Sequence, residues 1–318
     1  MPPMSIYNKG MLIPWSEMIK ERTAAIGKPV EITFFYGESL TKFGEEIPAL
    51  KAGIMDGVSN MNVNHFTGTG GIAGVMDLPF LFSTTMASAQ TALDIWEKYP
   101  EFRDYYSGVK MMWFQPTGPG HAISGTKKQI KTLEDFQGLR TFAMGKYDTA
   151  LIKALGAVPV DTPIIDVYIS LERGGLDFVI KNWEAYMAFK WFEVTKYRTE
   201  IPRGTTCGFL VSVMNWDSWN RLPPDVQKIF DELNGRFMTE FSAKAVDDAD
   251  RAIREVITGM DKEKGNPPVY ELPDEEFQRW VEAAQQVYDT WIADREAEGL
   301  SVRDIVEDVR QLGDKYSQ

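Results

Sequence analysis

The chain has 318 residues, enough for two domains, and its 44% apolar and 12% aromatic content supplies packed cores and excludes disorder. A net charge of −12 excludes a nucleic-acid partner, because a phosphate backbone needs a cationic footprint. One cysteine, Cys207, and two histidines, His65 and His121, exclude a disulfide framework within the chain and leave no basis for a metal cluster, so no cofactor is expected.

Trp15, Met18 and Ile19 recur at helical spacing among charged residues, which predicts an amphipathic helix over Ile13–Ala25. Pro29–Tyr36, with Val30, Ile32 and Phe34 alternating, reads as a strand. A short helix over Glu45–Ala52 closes at Gly53, and a strand over Asp56–Val63 runs into a Gly- and Thr-rich loop, Thr67–Gly71. Strand, helix, strand is the rhythm of an α/β unit. A helix over Met86–Lys98 and a strand over Val109–Gln115 follow, and Gly118-Pro119-Gly120 separates that strand from an extended run at Ile123.

The second half repeats the rhythm: a helical turn over Thr132–Phe136, a strand over Leu139–Ala143, a helix over Tyr147–Leu155, and a strand over Ala157–Val160. A helix over Ile165–Arg173 and a strand over Leu176–Ile180 complete it. Beyond Ala185 come a strand-like run, Thr206–Met214, and a long helical stretch from Asp225 to about Lys262. A second long helix covers Asp274–Glu298 and stops at Gly299. No apolar run reaches the ~18 residues of a membrane span. Met1-Pro2-Pro3 does not open a signal peptide.

Catalytic constellations are absent from this pattern. The two histidines stand far apart, no serine lies in a nucleophile elbow, and the Gly68–Gly74 stretch lacks both the phosphate-loop lysine and the dinucleotide fingerprint. Glu45-Glu46 and Glu275-Glu276 have the spacing of solvated helix faces. The chain is therefore expected not to be an enzyme.

A set of segments does carry information when taken in order. Leu78-Pro79-Phe80-Leu81-Phe82 follows the Gly-rich loop, and Gly118-Pro119-Gly120-His121 ends a strand. Thr132-Leu133-Glu134-Asp135-Phe136-Gln137-Gly138-Leu139-Arg140 comes next, then Ala154-Leu155-Gly156-Ala157-Val158-Pro159-Val160. Gly175-Leu176-Asp177, Trp183-Glu184 and Asn215-Trp216-Asp217-Ser218-Trp219 complete the set. In this order and spacing the chain resembles the DctP-type solute-binding proteins of tripartite ATP-independent periplasmic (TRAP) transporters, over about Trp15–Phe230 and more loosely beyond.

The resemblance implies an α/β, two-lobed periplasmic-binding-protein-like fold with crossing strands and a long interlobe helix. Lobe I would comprise residues 1–121 plus about 208–247, and lobe II residues 122–207 plus about 248–318. It implies an extracytoplasmic protein, a monomer or dimer, that captures a small organic acid, aromatic acids included, and delivers it to the small and large TRAP membrane subunits. A ligand-sensing periplasmic subunit of a signalling system, or a binder of a neutral or aromatic non-acid solute, is the alternative.

The site residues carried over are Asn62, Asn64, His65 and Phe66 after the early strand, and His121, Lys181, Asn182, Trp183 and Phe209. The chain departs from the family at two places. The first family strand has no counterpart ahead of Met1-Pro2-Pro3. The arginine that grips the ligand carboxylate falls on Phe142, with Arg140 two residues earlier on the same strand face. Lys181 is then the leading replacement cation, with Arg140 and His121 behind it, and Phe142 with Trp183 would form an aromatic wall.

Overall fold

The computed structural model describes residues 6–36, 39–42, 44–62, 71–143 and 145–318. They group into two compact units. The first comprises residues 1–76, 85–117 and 208–247, and the second residues 77–84, 118–207 and 248–318. Segments 77–84 and 118–121 thus belong to the second unit rather than to the expected first lobe. The boundary between Asp247 and Asp248 falls inside one unbroken helix, Gly235–Glu263.

In the first unit, strands β1 (Gly57–Asn62) and β2 (Lys110–Pro116) flank β8 (Phe209–Met214), both antiparallel to it. The expected βαβ rhythm is therefore not parallel pairing here. The helix Ile13–Ala25 forms over the predicted residues, and it presses Trp15 and Ile19 into a core with Trp113, Trp219 and Phe230. Pro29–Tyr36 is not a strand. Val30, Ile32 and Phe34 pack on that core while Glu31, Thr33 and Phe35 face solvent. The backbone N–H of Val30 bonds to Thr23 Oγ1 at 3.0 Å. A period of two reports one-sided burial, and here a mixed core of helices and β2 residues supplies the burial while the segment itself forms no strand.

The expected helix from Asp225 to Lys262 is two helices, Pro224–Leu233 and Gly235–Glu263. Asn234 breaks it: its Oδ1 accepts the Trp15 indole N–H at 3.1 Å, and Gly235 follows at φ +51°, a conformation that glycine adopts without a Cβ penalty.

In the second unit, β6 (Phe178–Lys181), β3 (Ala122–Gly125), β7 (Tyr197–Glu200) and β9 (Tyr270–Glu271) form one sheet in that order. β4 (Arg140–Phe142) and β5 (Val158–Val160) pair in parallel around the helix Gly145–Ala154, a true βαβ turn. The four-stranded sheet is buried on both faces. Phe178, Ile180 and Ile123 join Trp280, Ala284 and Val287 of the helix Asp274–Ala297. Val179 and Ala122 join Phe142, Trp183 and Trp191 on the other side.

Glu276 is not the solvated charge its spacing suggested. It accepts the Leu133 amide at 2.6 Å, the Trp280 indole at 3.0 Å and Arg279 at 2.8 Å. It thereby joins the helix Asp274–Ala297 to the turn Leu133–Phe136.

The segment 77–84 is held by Gly204, which accepts from the Phe80 amide at 2.8 Å and donates to the Phe82 carbonyl at 3.0 Å. On its other side a Cβ at Gly204 would lie 2.4 Å from Pro119 Cβ and 2.6 Å from the Gly120 nitrogen. Backbone on two sides leaves no room to yield. Gly204→Ala is expected to destabilise the protein by about 2 kcal/mol, the cost of overpacking a rigid site, read as a lower urea midpoint at unchanged slope.

Candidate functional site

The chemistry concentrates in the second unit, at the end of β6. Lys181 closes that strand, pairs across to Ala122 of β3, and is followed by Asn182, which caps the helix Trp183–Ala188. Residues paired directly across an antiparallel ladder share a face. Ala122 also pairs with Glu200, so Lys181, Ala122 and Glu200 make one row across three strands. The Lys181 ammonium lies 5.5 Å from the centroid of the Phe142 ring, within cation–π range. Lys181 is half-buried, and no carboxylate lies within ion-pair distance of it among the described residues.

The neighbouring cations are all matched. Arg140 Nε bonds to Asp177 Oδ2 at 3.0 Å, Arg140 Nη2 donates to the Gly174 carbonyl at 2.6 Å, and Lys127 reaches the same aspartate at 2.5 Å. Burial pushes the Asp177 carboxyl up, but these donors and the Arg140 amide hold it at about 2. The structure therefore gives Arg140 a partner within its own unit, joining β4 to the foot of β6. Arg198 is wholly buried against Asp261 at 3.0 Å, and Arg254 grips Glu200 with two bonds of 2.7 and 2.6 Å.

Trp183 and Phe142 take a different place from the expected aromatic wall. Trp183 is fully buried, and its indole donates to Glu200 Oε1 at 2.8 Å. Phe142 is buried edge-to-face on Trp191 at 5.8 Å. Burial pushes the Glu200 carboxyl up, yet Arg254 and the Trp183 indole bring it below its ordinary value.

His121 stands just before β3. Its Nδ1 faces the Pro119 carbonyl at 2.8 Å and its Nε2 faces Asp250 at 3.1 Å. Both partners are acceptors, an arrangement that favours hydrogen on both ring nitrogens and so the imidazolium form. Burial opposes that charge. The Asp250 bond and charge, with Glu200 and the Pro119 carbonyl, outweigh it and lift the ring above the usual imidazole value.

In the first unit, Asn62 ends β1 opposite Leu210. Asn64, His65 and Phe66 lie outside the described residues. Phe209 is fully buried, stacked on Phe114 at 5.4 Å and near Phe102 at 6.4 Å, and so serves the aromatic core. Sequence reasoning missed a polar cluster on this sheet. Buried Gln115 accepts from the Trp113 indole at 3.2 Å and donates to Asn60, while Ser59 meets Ser212 at 2.6 Å. Asn60 sits at φ +60° in a bulge of β1. Asn tolerates that conformation, which is the one local signal the sequence offered.

Among the described residues, no group of His, Cys, Asp and Glu is placed to hold a metal, and no helix is long and apolar enough to cross a membrane.

Residues 2–294 match the sequence profile of the DctP family, described as bacterial extracellular solute-binding protein, family 7. The 2,3-diketo-L-gulonate-binding periplasmic protein YiaO of Escherichia coli (strain K12) is 23% identical over 78% of this chain and 76% of its own. The C4-dicarboxylate-binding periplasmic protein DctP of Rhodobacter capsulatus is 24% identical over 82% and 76%.

Among solved structures, a TRAP solute-binding protein from Rhodoferax ferrireducens T118 in complex with copurified benzoate superposes with a TM-score of 0.84. It is 24% identical and covers 100% of this chain and 96% of its own. A TRAP periplasmic solute-binding protein from Bordetella bronchiseptica with bound (R)- and (S)-mandelate gives 0.81, at 25% identity over 99% and 96%. The fold is the two-lobed α/β fold of these proteins.

Proposed function

Because the chain belongs to family 7 of the bacterial extracellular solute-binding proteins, the DctP type that serves TRAP transporters, we propose that it captures one small organic acid outside the cytoplasm and passes it to the TRAP membrane subunits. Relatives of the family bind acids of several shapes, benzoate, mandelate and succinate among them. The observation that carries the reading to this chain is Lys181, half-buried over Phe142 without a carboxylate partner among the described residues. A carboxylate removed from water needs a cation or several donors, at a cost of several kcal/mol otherwise. Arg140, Arg198, Arg254 and His121 are each matched to a carboxylate already. Phe142 stands where the family's arginine would, so Lys181 takes over the charge and Phe142 becomes the apolar support beneath it. Asn182, next to Lys181, supplies its side-chain amide to the same ligand.

A lysine is a point charge without a planar fork, so it selects a carboxylate less sharply by geometry than arginine does. The acid is bound and released unchanged, since no nucleophile–base pair stands beside Lys181 among the described residues.

A thermal-shift screen with aromatic acids, aliphatic mono- and dicarboxylates and neutral solutes tests this. A ligand that binds only the native state raises the melting temperature by mass action, by the equivalent of about 2.7 kcal/mol at a hundred times its Kd. Stabilisation by carboxylates and not by their amides is the expected result. Stabilisation by neutral solutes alone would overturn it.

A further inference from the structure

The segment that carries Lys181 is held by two residues of the long helix one turn apart, Asp250 and Arg254. Asp250 Oδ1 accepts the Glu184 amide at 2.8 Å, while its Oδ2 faces the His121 imidazolium at 3.1 Å. Arg254 acts through Glu200 on the Trp183 indole. The first of these contacts adjoins the lysine on two sides. Ala122, next to His121, pairs with Lys181, and a Cβ on Gly120 would come within 3.6 Å of the Lys181 Cα.

Glu184 completes the cluster. It is half-buried, and its carboxyl has no hydrogen-bond or ion-pair partner among the described residues. Burial, then the Asp250 charge, push it above the ordinary carboxylate range.

We propose that Asp250 is a positioning residue for the bound acid, holding Lys181–Glu184 through the Glu184 amide while His121 balances its charge, so that acid binding weakens as this cluster loses protons. The inference rests on Lys181 being the ligand's cation. Among the described residues, the charges that act on His121 are Asp250 of the long helix and Glu200 of β7, with Arg254 paired to Glu200 and Glu184 of the helix Trp183–Ala188 coupled to Asp250. Two of the groups lose a proton as pH rises. The imidazolium becomes neutral and the Glu184 carboxyl becomes a carboxylate. Both steps make the surroundings of Lys181 more negative, so their signs agree and an anion is repelled. Arg254 and Glu200 cancel one another and do not change.

The test is calorimetric titration with benzoate and (R)-mandelate, whose carboxylates keep their charge above about pH 6, and with succinate, which keeps both charges above about pH 7. Wild-type affinity for the tightest of the three is expected to fall about tenfold between about pH 6 and pH 8.5. Asp250→Asn keeps an oxygen for the Glu184 amide but cannot balance the imidazolium. It should bind nearly as wild type at about pH 6 and lose less affinity than wild type as pH rises, because no carboxylate is left unbalanced when the ring is neutral. Asp250→Ala should bind at least tenfold more weakly throughout, while thermal unfolding confirms that it folds. Glu184→Gln should leave in place the part of the fall that His121 causes. A wild-type affinity constant across the range, or an Asp250→Asn affinity that falls as steeply as wild type's, overturns the inference and leaves the proposed function standing. Failure of all three acids to bind at about 10 mM overturns both.

Discussion

Asp261→Ala is expected to cost about 3–5 kcal/mol, the penalty for leaving a buried charge without its counter-ion. The Arg198 guanidinium is 1% exposed. It spends Nε on Asp261 at 3.0 Å, Nη2 on the Thr195 carbonyl at 2.9 Å, and Nη1 on the Ser124 and Thr195 hydroxyls. The neutral partners that remain solvate the cation without balancing it. Asp261 also accepts the Asn266 side chain at 2.8 Å, so its removal loosens the turn after the long helix as well. Urea unfolding of the second unit should show the loss, and the melting temperature should fall by roughly 10 °C. The double variant Arg198→Met with Asp261→Leu should recover most of it, because an apolar pair of similar volume replaces two desolvated charges. A single variant within 1 kcal/mol of wild type would show that Arg198 is served by its hydroxyl and carbonyl partners alone.

Lys181→Met should weaken binding of an organic acid roughly thirtyfold, about 2 kcal/mol, the range for removing one partner of a partly desolvated charge pair. Folding should hardly change. Lys181 lies on the outermost strand of its sheet, half-exposed, and its ammonium rests over a ring rather than in an ion pair. Stability is expected to stay within about 0.5 kcal/mol. Lys181→Arg keeps the charge and should retain most of the affinity. Titration by calorimetry separates the outcomes. An acid whose Kd is the same in Lys181→Met is held by another group.

Much of the fold was legible because packing and local chemistry agreed. Ile13–Ala25 and Asp274–Ala297 carry apolar residues at helical spacing, and both formed within a residue of the predicted ends. The parallel β4–helix–β5 turn was legible for the same reason. Pro29–Tyr36 was not, since alternation tells which side is buried and leaves open whether a strand lies alongside.

The helix C-terminal to Leu300, Arg303–Tyr316, went unread, as did β7. β7 is short, and two of its four residues, Arg198 and Glu200, are charges buried or half-buried by partners far along the chain. The candidate site shows the same limit. Strand parity put Arg140 and Phe142 on one face, yet Arg140 belongs to Asp177, 37 residues away. Trp183 could be flagged as a large aromatic near the site, but the Glu200 carboxylate that claims its indole comes from a different strand. Matching cations to carboxylates in three dimensions separates Lys181 from its neighbours, and the one-dimensional pattern holds no trace of that pairing.

The helix Gly235–Glu263 also sets a rule for how this lineage of chains can change in length. Asp250 and Arg254 act on one stripe because four residues turn the helix by a little more than a full revolution. One residue inserted or deleted between them would swing one anchor about 100° away from the other. Either Glu184 or the Glu200–Trp183 pair would then lose its grip, whatever the inserted side chain. Substitutions on the outer face of those turns, such as Arg251 and Glu255, carry no such geometric load. Length variation should accordingly be purged from 250–254 while point changes accumulate around it, and a deletion-scanning library selected for acid binding should show a gap there with tolerated indels resuming after Lys262.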